Sequence, residues 1–167
     1  LFLPPCINPE RFYRRDIVPD HDIWNFLSST TGLPIEEVRR CRVISEISRT
    51  DRTKRKDVLI KAFAKLRESY PDTLLVVAMD KSEEELADEL EALMEEGGCR
   101  SHIAAIGNEW ERLPYLYSVT DIYCSPSVME GFGMAVQEAA ATRVPVVGSN
   151  LIPFVTEYLL GTEVEKV

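Results

Sequence analysis

From residue 42 onward, apolar runs of strand length alternate with stretches of helical spacing. Residues 42–48 (RVISEIS) are β-branched and alternate apolar with polar, which predicts a strand. Over 57–70, Val58, Leu59, Phe63 and Leu66 recur at helical spacing, and Pro71 ends the predicted helix. Residues 73–79 (TLLVVAM) form an unbroken apolar run, as expected of a strand buried on both faces. Ser82 then reads as a helix N-cap with Glu85 at the capping-box position. That helix carries Leu86, Leu90 and Leu93 on one face and stops at Gly97 and Gly98. The pattern continues with a strand at 101–106, a helix at 109–120 interrupted early by Pro114, and a strand at 121–125. A helix at 132–141, a strand at 144–148 and a helix at 153–160 complete it. Five strands alternating with helices predict an α/β fold: a doubly wound parallel sheet with right-handed crossovers and helices on both faces. Ligands of such sheets sit beyond the carboxyl ends of the strands, so the loops of interest are 48–56, 80–82, 107–109, 125–133 and 149–153.

The first forty residues follow another pattern. Residues 1–5 read as a strand leading into a Pro-rich turn, and 23–28 and 35–40 as short helices separated by 30–34. The expected organisation is a connector with a short helical excursion at 1–40, followed by the main domain at 41–167. The 167 residues, 45% hydrophobic, suit one globular domain with a real core. No run of eighteen apolar residues is present, so no membrane span is expected. The opening LFLPPCINPERF has no initiator Met, basic n-region or cleavage pattern, and the expectation is an excised piece of a longer protein.

Charge narrows the partners. A net charge of −9 argues against nucleic acid or an anionic membrane as the partner of the surface as a whole. Cations nevertheless gather between Arg39 and Lys61, either as a solvated helix start or for use against a small anion. The acidic residues between Glu83 and Glu96 read as a solvated face. Cys6, Cys41, Cys99 and Cys124 are far apart with no CxxC pair, which fits neither a zinc site nor a dense disulfide framework. A reduced, cytoplasmic setting follows, with Cys41 and Cys124 as buried free thiols.

Two loops carry candidate chemistry. In Ser48-Arg49-Thr50-Asp51-Arg52-Thr53-Lys54 a strand ends and a helix begins, placing Arg49 and Lys54 to converge on an anion at the carboxyl edge of the sheet. Arg offers fork-like donors and Lys a point charge. Cations on a diphosphate leaving group stabilise the charge that develops as a glycosidic bond breaks. The second loop runs from Ser125 through Glu130-Gly131-Phe132-Gly133-Met134 to Glu138. Its glycines allow a ligand close to the backbone, and the helix start offers free N–H groups. Helical side chains tilt toward the N-terminus, so Glu138 can reach back to accept from the paired hydroxyls of a ribose. Glu130 can serve the hydroxyls of a sugar. The plainer alternative is a helix-capping Glu130 with Glu138 on a wet face.

Glu130-Gly131-Phe132-Gly133 followed by Glu138 resembles the Glu-x7-Glu signature of retaining glycosyltransferases with the GT-B fold. This broad group 1 family includes glycogen synthase-like, sucrose-phosphate synthase-like and mannosyltransferase-like enzymes. Ser48-Arg49 with Lys54, and then Leu59-Ile60-Lys61-Ala62-Phe63, is similar to the family's donor-phosphate loop and following helix. Leu113 to Ser118, Asp121 to Ser127, Glu138 to Ala141 and Val144 to Val147 fit in the same order, and Pro4 to Phe12 resembles the connector into the C-terminal domain. The resemblance implies that Arg49 and Lys54 bind the donor diphosphate, that Glu130 lies near the donor sugar and that Glu138 binds the ribose. It also implies contacts from the backbone of Phe132, Gly133 and Met134 to sugar or phosphate, and a base site around Gly107 and Asn108. No cofactor or metal is expected. The substrate is a nucleoside-diphosphate sugar, UDP- (UDP-glucose among them), GDP- or ADP-linked, and the acceptor site belongs to an N-terminal GT-B domain of the full-length protein. The chain alone is then expected to bind a donor without turning it over.

Departures from the family pattern are also present. Arg143 stands where family members often have Gly, and 148–154 lacks their usual Gly-Gly-Pro-Glu. Asp20-His21-Asp22 matches the DxD pattern of metal-dependent transferases but sits far from any strand-end glycine loop, which favours a solvated turn. His102 reads as structural. Two other readings remain open: a sugar-nucleotide epimerase, which would need no acceptor, and a non-catalytic doubly wound interaction domain, which would need no nucleotide.

Overall fold

The computed structural model describes residues 3–159 and the backbone of 164–166. Two helices, α1 (Asp22–Thr31) and α2 (Ile35–Arg40), precede the repeating part. There follow β1 (Arg42–Glu46), α3 (Lys56–Ser69), β2 (Thr73–Ala78), α4 (Glu84–Glu96) and β3 (Ile103–Ile106). The chain continues with α5 (Leu113–Val119), β4 (Ile122–Ser125), α6 (Met134–Ala141), β5 (Val146–Gly148), α7 (Pro153–Tyr158) and β6 (Val164–Lys166). The strands form one sheet in the order β3-β2-β1-β4-β5-β6, and every pairing is parallel. This is the doubly wound α/β architecture that the alternating pattern predicts, with a short sixth strand that the pattern does not single out. The order reverses between β1 and β4, so their outgoing loops part there and leave a crevice at the carboxyl edge.

The apolar run of β2 is explained by burial on both faces. Leu74 and Val76 pack with Ile23, Leu27, Val38 and Leu116 from α1, α2 and α5. Their neighbours Leu75 and Val77 point the other way, onto Leu59, Ile60 and Phe63 of α3 and Leu90 and Met94 of α4. A third cluster joins α6 and α7 to Tyr117 and Tyr123. Among the described residues no helix is long and apolar enough to cross a membrane.

Several local expectations change. Residues 3–5 form no strand, and residues 1 and 2 lie outside the described residues. Ser82 does not cap α4: the N-cap is Glu83, without a side-chain bond. The Asp80 carboxylate instead accepts from the Ser82 amide at 2.9 Å, and the Asp80 carbonyl from the Glu83 amide at 3.2 Å, which folds this segment into a turn ahead of the helix. The segment 109–112 is a turn rather than helix, and α5 is one piece with Pro114 in its first turn, where a missing N–H costs nothing. The last predicted helix ends at Tyr158, and Leu160 lies outside the described residues. Arg143 adopts φ +59, the left-handed region that glycine occupies freely.

The remaining side chains are accounted for locally. His21 is the N-cap of α1, its Nδ1 accepting from the Ile23 amide at 3.1 Å, while Asp20 and Asp22 are exposed. His102 lies 3.4 Å from Glu37, and burial together with Arg67 lowers its pKa against the pull of Glu37. Cys41 is buried, whereas Cys124 is only partly so, although burial and nearby Glu46 raise its thiol to about 11. On the acidic face of α4, Glu89 takes both prongs of Arg52 at 2.7 and 2.8 Å.

Candidate active-site cleft

A cleft of about 960 Å³ opens at the carboxyl edge of the sheet. Arg49 and Lys54 line it from the β1–α3 loop, and Gly107 and Asn108 from the loop after β3. Glu130, Gly131, Phe132, Gly133, Met134 and Glu138 line it from the β4–α6 loop and the start of α6. All ten residues singled out in the sequence therefore face one space, with Arg49 and Glu138 on its two walls.

The first wall is held by side chains. Asp51 caps a 3-10 turn at Arg52–Lys54, accepting from the Thr53 amide at 2.9 Å. Burial would raise its carboxyl, but the Thr53 hydroxyl and amide, with Lys54 and Arg49 nearby, hold it below the usual range. Thr50 accepts from the Asp80 amide at 2.8 Å, tying this loop to the one after β2. Arg49 is exposed at the rim. Lys54 is nearly buried, and its ammonium meets the Glu130 carboxylate at 2.5 Å across the cleft.

The second wall is held by backbone. Gly133, the N-cap of α6, has φ +101, and a Cβ there would stand 2.5 Å from Ile152 Cγ2. Only glycine fits both the conformation and the space. Gly131 is different, because a Cβ there would meet open space. The Phe132 carbonyl accepts from the Phe154 amide at 2.8 Å, and the Phe132 ring packs edge-on against Phe154 and Tyr158. The walls also touch: the Thr53 carbonyl accepts from the Val128 amide at 2.8 Å and from the Ser127 hydroxyl at 3.2 Å.

Glu138 is anchored from below. The buried Tyr117 hydroxyl donates to one of its carboxylate oxygens at 2.9 Å. Burial raises the Glu138 carboxyl above the ordinary value, partly offset by that hydrogen bond and by Arg11. One oxygen is therefore held by Tyr117, while the residue lines the cleft. Sequence reasoning missed Tyr117. Its signal was a tyrosine beside Leu116 in a short, mostly apolar helix, which reads equally well as core. Trp110, half exposed and stacked on the Arg11 guanidinium at 4.0 Å, also lines the cleft and was missed.

A parallel sheet with this order and a cleft at its point of reversal defines the Rossmann-like class of α/β domain. The family model for glycosyl transferases group 1 matches residues 38–163, and the chain belongs to that family. It is similar to a D-inositol 3-phosphate glycosyltransferase of Corynebacterium urealyticum, 32% identical over 147 residues, covering 81% of this chain and 34% of that protein. It is also similar to a GDP-mannose-dependent alpha-(1-6)-phosphatidylinositol monomannoside mannosyltransferase of Mycolicibacterium smegmatis. There the identity is 29% over 156 residues, covering 89% of this chain and 37% of the relative. The crystal structure of a glycosyltransferase from Rickettsia africae shares the fold with TM-score 0.77 at 21% identity, covering 96% of this chain and 41% of its own. The chain thus spans about a third of the length of the curated relatives it matches.

Proposed function

We propose that this chain is the nucleotide-sugar-binding half of a retaining glycosyltransferase that moves a hexose from a nucleoside-diphosphate sugar to an acceptor. In this reading Arg49 and Lys54 grip the diphosphate and stabilise its charge as it leaves. Glu130 accepts from sugar hydroxyls, Glu138 from the ribose, and the backbone of Phe132, Gly133 and Met134 contacts sugar or phosphate. Gly107 and Asn108 border the base. The acceptor wall comes from an N-terminal domain of the same protein, so the chain alone binds the donor without turnover. A cytoplasmic setting suits a nucleotide-sugar substrate.

The observation that carries this reading is the shared cleft with cations on one wall and carboxylates on the other. A diphosphate needs the first and paired hydroxyls the second, and a single nucleotide sugar presents both. The mannosyltransferase relative is GDP-mannose-dependent by name, which supports a nucleotide-sugar donor. Titration calorimetry with UDP, GDP and ADP tests it. At least one should bind, and Glu138→Ala should weaken it about tenfold or more, as loss of a charge-assisted hydrogen bond does. No binding to any of the three would overturn the assignment.

A further inference from the structure

Beneath the cationic wall lies a charged pair that the proposed chemistry leaves unused. Glu46, the last residue of β1, and Lys56, the first of α3, meet in an ion pair whose side chains are 0% and 1% exposed. Among the described residues no other ion pair is so deeply buried. The pair closes the two ends of the loop that carries Arg49 and Lys54. Its bonds converge on the residues just before Arg49. The Ser48 hydroxyl donates to Glu46, and the Lys56 ammonium donates to the Ser48 carbonyl at 3.1 Å. One residue earlier, the Tyr123 hydroxyl donates to the Ile47 carbonyl at 3.4 Å. Two consecutive carbonyls are thus pinned from below at the point where the chain turns to present Arg49.

Burying two charges is expensive, and apolar residues of similar volume commonly serve stability as well or better. Stability therefore does not explain the pair, whereas the geometry of the loop does. We propose that Glu46 and Lys56 are positioning residues that fix the backbone of Ser48 and so aim Arg49 at the donor diphosphate. This deepens the donor-site reading above and rests on it. Neither residue of the pair lines the cleft, so its effect passes through Arg49.

The test is a double-mutant cycle read by titration calorimetry, using whichever of UDP, GDP or ADP the unaltered protein binds and the matching monophosphate. The paired substitution Glu46→Leu with Lys56→Met removes both charges together and leaves none buried alone. It should weaken diphosphate binding about tenfold, in line with a misplaced charge-assisted contact, and monophosphate binding much less. In an Arg49→Ala background the same pair of substitutions should cost no further affinity, because the residue it aims is gone. Additive losses, or an unchanged diphosphate preference in the folded double variant, would overturn the proposal. If that variant does not fold, Glu46→Gln, which keeps the side-chain length, takes its place in the same cycle and is judged by the same two outcomes. If the unaltered protein binds no diphosphate, the donor-site reading fails first and this inference falls with it. Binding by the unaltered protein with additive variants rejects this inference alone.

Discussion

The two walls of the cleft are built on opposite principles. The β1–α3 loop is shaped by side-chain charge: a buried Glu46–Lys56 pair, an Asp51 cap and the Lys54–Glu130 contact. The β4–α6 loop is shaped by backbone: a left-handed Gly133 seated against Ile152, and a Phe132 carbonyl bonded to Phe154. Charge placement tolerates changes of shape as long as partners stay paired, whereas a backbone fit of this tightness tolerates no added atom. The walls should therefore fail in different ways when altered.

The largest expected effect follows from the backbone wall. Gly133→Ala combines left-handed strain with overpacking on Ile152 and should destabilise by about 3 kcal/mol in urea unfolding. Gly131→Ala, two residues away in open space, should stay within about 0.5 kcal/mol. Equal effects at the two glycines would break the comparison. Next, Tyr117→Phe leaves the half-buried Glu138 carboxylate without its donor and should cost about 1–2 kcal/mol.

Glu138→Gln should raise Tm at neutral pH, with a sign fixed by linkage. The folded protein holds a proton on Glu138 more readily than the unfolded chain, whose value is near 4.5. Stability associated with this group is present in acid and is lost as pH rises from 4.5 through the raised folded value. The gain from Gln should therefore vanish well below pH 4.5 and be complete at neutral pH, as thermal unfolding across pH would record. The same variant should bind nucleotide more weakly if the proposed ribose contact is real. The smallest effect is expected far from the cleft. Arg143→Gly relieves a left-handed residue at an exposed turn and should stabilise by about 0.5 kcal/mol, part of the relief being offset by a more flexible unfolded chain.

Much of this was legible in the sequence, for physical reasons. The strands of a doubly wound sheet are buried on both faces, so TLLVVAM declares β2 without help from neighbours. The loop residues were legible because strand ends of a parallel sheet share one edge, which places Arg49, Gly107 and Glu130 together before any distance is known. The supports of the site were not legible. Glu46 sat in an alternating strand pattern and Lys56 among eight other cations, and only folding shows that they meet. Tyr117 was hidden in the same way, since its apolar neighbours account for its burial. Ser82 misled because the turn set by Asp80 places it one residue ahead of the N-cap Glu83, so the capping pattern falls out of register with the helix start.

The Thr53 carbonyl, shared by the Val128 amide and the Ser127 hydroxyl, has a consequence for affinity. It bolts the opposing rims together through one main-chain and one side-chain donor, so the gap between them is set before any guest arrives. A molecule long enough to span that gap has little loop entropy to quench on entry, and more of its contact energy survives as tightness of hold.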